Sequence, residues 1–165
     1  RATRPRSDRR ASPAAQQADN ASPPAERSNL CITDNEKLAR WLIAEYVSHF
    51  GAFKGQPGLS SLIWRTLDEV KSLGDAVSSY SEVVRAGDLT VELAWKGLGE
   101  PFCFAFPPEK SATGKHHMPS LFVGCESATI AVNGRVVPGK PVPREIAGRT
   151  ISTAMLAFSE TWIRV

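Results

Sequence analysis

Apolar positions along this chain follow two rhythms, and the change between them falls near Asp88. Upstream they recur at intervals of three and four. Leu38, Trp41, Leu42, Tyr46 and Phe50, with Glu45 and His49, fall near one face of a helix. Thr33-Asp34-Asn35-Glu36 has capping-box spacing at its start, and Gly51 offers a left-handed stop. Leu59, Leu62, Ile63, Thr66, Leu67, Val70 and Leu73 repeat the pattern and predict a second helix ending near Gly74. Asp75 then caps a shorter third helix running through Tyr80, Val83 and Val84 to Ala86, although Ser78, Ser79 and Ser81 weaken its propensity.

From Asp88 the period is two. Leu89, Val91, Leu93 and Trp95 alternate with Thr90, Glu92 and Ala94, and Phe102, Phe104 and Phe106 form a second alternating set. The glycines and proline of 96–101 between them predict a hairpin. Pro107 and Pro108 open a polar loop that extends to Pro119, followed by a strand from Leu121 to Glu126. Strands at 129–132 and 135–137 flank Asn133-Gly134, the pair that best satisfies a turn needing two positive φ angles. Ile151, Met155, Phe158 and Trp162, spaced by four, three and four, predict a closing helix. The fold class read from this order is α+β: N-terminal helices, a four- or five-strand antiparallel meander and a C-terminal helix.

Composition divides the chain differently. Residues 1–29 form a Pro-, Ala- and Arg-rich arm, with six arginines against three acidic residues and a net charge of +3. That equals the formal charge of the whole chain, so residues 30–165 are neutral. The arm has no periodic apolar face and is expected to be disordered, whereas 30–165 has the length of a single globular domain. The chain opens on Arg1, which suits a processed product or the C-terminal module of a larger polypeptide. No apolar run is long enough to span a bilayer, and three widely spaced cysteines build no disulfide framework, so a cytoplasmic setting without membrane contact is expected.

Candidate chemistry is sparse. Residues 109–117 echo a phosphate loop, but Glu109 stands where glycine is needed and His116 where serine or threonine would hold magnesium. His116 and His117 could act as acid/base groups in their loop, with Cys125 as a nucleophile in a small hydrolase or transferase. An exposed loop tip and a packed cysteine explain the same residues more simply. No ligand spacing suggests a metal, and no cofactor is expected. Trp41, Trp64, Trp95 and Trp162 read as core anchors, and Glu45 with His49 as a surface pair one turn apart.

Three helices followed by a two-strand hairpin have the element order of a winged helix, which makes a nucleic-acid-binding accessory domain one alternative. The third helix offers only Arg85 beside Asp75 and Glu82, a poor recognition face. Arg1, Arg4, Arg6, Arg9 and Arg10 of the arm remain available for phosphates or for a partner. With no complete catalytic set, the leading expectation is a noncatalytic protein-binding or adaptor domain tethered by its basic arm, with a protein partner.

Overall fold

The computed structural model describes residues 29–51, 53–55 and 57–165. Most of these residues form strands. The expected α+β layout is therefore corrected: one α-helix is present among the described residues, and the C-terminal segment is strand. The arm, with Arg1, Arg4, Arg6, Arg9 and Arg10, lies outside the described residues.

Strand β1, Leu30–Thr33, leads into helix α1, Glu36–Glu45, and pairs in parallel with β2, Ile63–Thr66, beyond it. Helix α1 starts two residues later than the capping box implied. Asn35 is the N-cap, its side-chain oxygen accepting from the Leu38 amide at 3.0 Å, while Thr33 accepts from the Asn35 amide. It also ends before Gly51, giving way at Tyr46 to a 3-10 turn over Val47–His49. Its Leu38, Trp41 and Leu42 remain exposed, Trp41 by 52%. Trp41 is thus no core anchor, while Trp64 is capped by the Arg40 guanidinium 4.2 Å from its ring centroid.

The expected second and third helices are strands. Residues 59–73 divide between a 3-10 turn, β2 and β3, Glu69–Gly74, and residues 79–86 form β4, Ser79–Ala86. Ile63, Thr66, Val70, Val83 and Val84 are β-branched and suit a pleated surface. Asp75 does cap amides, though in a turn: its carboxylate accepts from the backbone of Val77, Ser78 and Ser79 and from the Ser78 hydroxyl. Gly74 at φ +108 makes that turn possible, since a Cβ there would meet the Ser79 carbonyl. With 75–86 a turn and a strand, the winged-helix element order is absent.

The spine of the fold is β7, His116–Val132, a 17-residue strand that joins the two strands expected at 121–126 and 129–132 and part of the expected loop. Strands β5, Leu89–Leu98, and β6, Phe102–Phe106, do not form a hairpin with each other. Both run antiparallel to β7, with Leu98 opposite Cys125 and Phe102 opposite Phe122, so 99–101 is an irregular bend in one direction of travel. On its other edge β7 carries β8, Arg135–Val136, then β11, Met155–Glu160, and β12, Ile163–Arg164. The predicted Asn133-Gly134 turn is present, with φ of 48° and 75°. The predicted closing helix is replaced by β10, β11 and β12. A register shift between Ala157 and Ser159 inserts Phe158 as an extra residue, which converts a two-residue repeat into the helix-like spacing of three from Met155.

The sheet order β11-β7-β5-β4-β3 is strongly coiled. The ring of Phe158 on β11 lies 6.2 Å from that of Tyr80 on β4, three strands away, where a flat sheet would separate them by about 14 Å. A separate hairpin, β9, Pro143–Ile146, and β10, Arg149–Ser152, folds over β6 and β7. Its Ile146 is buried with Phe102 and Phe122, and Phe104, Ile151 and Met155 pack around them.

Candidate functional site

Alternation along β7 decides which residues share a surface. His116, Met118, Ser120 and Phe122 lie on one face, and His117, Leu121, Val123 and Cys125 on the other. Strand pairing extends the first face sideways: Phe106 opposes Met118, Phe104 opposes Ser120, and on the far edge Glu160 opposes the same Ser120. The row Phe104, Ser120, Glu160 therefore crosses three strands on a single face.

The β9–β10 hairpin covers part of this face and encloses a cleft of about 470 Å³. Phe104, Phe106, Met118 and Phe122 supply an apolar floor, Phe50 arrives from the segment after α1, and Ile146 and Met155 close the hairpin side. Lys110, Arg144 and Glu145 stand exposed at the mouth, whereas Glu160 is partly buried within. Burial pushes the Glu160 carboxyl above its ordinary range, and a hydrogen bond from the Trp162 side chain draws it partly back. Among the described residues Glu160 makes no ion pair. Beside it, Ser120 is only 5% exposed, and its Oγ has no hydrogen-bond partner among the described residues. Buried polar atoms are rarely left unmet, and this one lies on the same face as the cleft lining, between Phe104 and Glu160, without itself lining the cleft.

The sequence-predicted candidates lie elsewhere. His116 is 4% exposed at the start of β7, not in a loop tip. Its Nδ1 is hydrogen-bonded to the Thr113 hydroxyl at 2.8 Å, and its ring packs between Tyr46 and Trp162 with centroid separations of 5.1 and 6.0 Å. His117 points to the opposite face, opposite Ile163. Cys125 is on the same face as His117 but eight residues on, about 26 Å along the strand, and about 30 Å from His116. The Cys125 thiol donates to the Ala154 carbonyl at 3.0 Å, and burial raises its pKa, the reverse of what a nucleophile needs. The structure thus does not bring the two histidines and the cysteine together. Glu45, expected to meet His49, instead binds Lys115 at 2.7 Å, and that contact holds its carboxyl below the usual range. It ties α1 to the loop before β7, next to the Tyr46, His116 and Trp162 cluster.

Among the described residues, no group of three or more His, Cys, Asp or Glu side chains is arranged to hold a metal, and no helix is long and apolar enough to cross a membrane. The cleft residues Lys110, Arg144 and Glu160, and Ser120 beside them, escaped sequence reasoning because 50 positions separate the first from the last. One signal existed: Ser120 interrupts the alternating set His116, Met118, Phe122 at a buried position, visible once the strand is begun at His116 rather than at Leu121. Compared with known protein families, curated proteins and solved structures, the chain matches none of them.

Proposed function

We propose that this chain is a noncatalytic binding module that accepts a segment of a protein partner in the cleft beneath the β9–β10 hairpin. The observation that carries this reading is the cleft itself: an apolar lining with polar groups confined to one inner point and to the mouth, the usual distribution in a ligand-binding site. The separation of His116, His117 and Cys125 supports it, since that thiol and those imidazoles are out of reach of one another.

A selection of random peptides displayed on phage against the full chain tests the reading, with Phe104→Glu as counter-target after its fold is checked by circular dichroism. Peptides retained by the native chain and lost by the variant are expected. Peptides retained equally by both, or none at all, would remove the cleft from any binding role.

A further inference from the structure

The floor of the cleft is more selective than an apolar groove requires. Two acceptors, the Glu160 carboxylate and the Ser120 hydroxyl, lie on neighbouring strands directly across from each other, with Cβ atoms about 5 Å apart as in any cross-strand pair. Among the described residues Glu160 has no cation beside it and takes a hydrogen bond only from the Trp162 side chain, while the Ser120 hydroxyl, more than nine-tenths buried, has no partner. Phe104 completes the row on the other side of Ser120, and Phe106 stands one pair further along. An anion at this point would meet the Glu160 charge. A purely apolar group would cover an uncompensated carboxylate and an unmet hydroxyl. A compact cation with several N–H donors satisfies both and gains from the adjacent ring faces.

The mouth carries the opposite preference. Of the residues lining the mouth, Lys110 and Arg144 are exposed against a single acid, Glu145, which accepts from the Thr150 hydroxyl, leaving one net positive charge among them. The cleft is thus apolar over most of its floor, negative at one inner point, Glu160, and positive at its rim. Resting on the binding-module reading above, we infer that it recognises a lysine side chain set within an acidic stretch of a partner protein. The unbranched stem lies along Met118 and Phe122, the ammonium bridges Glu160 and Ser120, and flanking carboxylates meet Lys110 and Arg144. Lysine fits better than arginine: a single ammonium with three donors suits one carboxylate and one hydroxyl, whereas the planar guanidinium fork needs a bidentate partner.

Fluorescence anisotropy on the full chain tests this with three labelled acidic peptides that differ only at the centre: lysine, norleucine or acetyl-lysine. The lysine peptide is expected to bind at least about tenfold more tightly than either of the others, as a charge-assisted hydrogen bond implies. Glu160→Gln is expected to erase that preference while leaving norleucine binding in place, and Ser120→Ala to reduce it. Lys110→Glu with Arg144→Glu is expected to weaken all three peptides alike. Equal binding of lysine and norleucine peptides, or a preference indifferent to Glu160→Gln, would overturn the lysine site while leaving the cleft as a binding groove. Failure of every peptide to bind, together with no displacement of anilinonaphthalene sulfonate from the native chain, would overturn the groove reading and the lysine site with it.

Discussion

Two carboxylates respond to folding in opposite directions, and each predicts its own pH window. Hydrogen bonds from the Ser78 hydroxyl and amide, and from the Val77 and Ser79 amides, hold Asp75 well below its ordinary 3.8. Its stabilisation is present above that value and is lost as pH falls below it, because the unfolded chain takes up the proton first. Asp75→Ala should therefore flatten the acid limb of a stability-against-pH curve below about pH 4, read by urea unfolding. Glu160, raised from 4.5 by burial, contributes the reverse: the folded state keeps its proton longer, so stability declines as pH rises from 4.5 through the raised value. Glu160→Gln is expected to remove that decline and to leave the chain more stable than the native sequence at pH 7, with little difference at pH 4. Phe122 belongs to a different class. It is packed edge-on against Phe102 and Phe104 with centroids 6.3 and 4.9 Å away, and Phe122→Ala should cost about 3–5 kcal/mol of unfolding free energy by the same measurement.

At the scale of elements, two turns with nearly the same backbone show how far local sequence reaches. Asn133-Gly134 and Ala147-Gly148 have φ pairs of 48° and 75°, and 49° and 76°. The first was legible because asparagine tolerates the left-handed region, and here its side chain also accepts from the Thr90 amide at 2.7 Å. The second was not, since alanine gives no such signal and pays a steric penalty there. Ala147→Asn is accordingly expected to stabilise the β9–β10 hairpin by about 0.5–1 kcal/mol, seen as slower amide exchange in Arg144–Ser152. The same limit explains the misread helices. Residues 59–73 match a three-and-four repeat because a short turn, a four-residue strand and a six-residue strand follow one another closely, and Met155 to Phe158 matches it because of a bulge. Periodicity reports a face only where one element runs through the whole window, as it does from Leu89 to Trp95 and from Phe102 to Phe106.

For the molecule as a whole, charge and fold are separate matters. The positive charge lies in 1–29 and the neutral remainder carries the cleft. If the arm seeks phosphate, replacing Arg4, Arg6, Arg9 and Arg10 by glutamate in the full chain should abolish retention on mixed DNA and RNA. The native salt dependence should then have a slope of about −0.9 per phosphate contacted on duplex DNA. Retention unaffected by these replacements would exclude the arm from such contacts. The sequence by itself determined the basic arm, the alternating strands around Leu93 and Phe104, the Asn133-Gly134 turn and the presence of a helix near Trp41. These follow from charge, from period and from the preferences of single residues. Only the tertiary structure decided that β5 and β6 continue along β7 instead of folding back, and that His116 and His117 face apart. It alone placed Ser120 opposite Glu160 beneath a hairpin drawn from 143–152. Strand pairing joins residues tens of positions apart, and the free energy that selects one partner over another comes from burial around Phe102, Phe122 and Ile146, which no local pattern encodes.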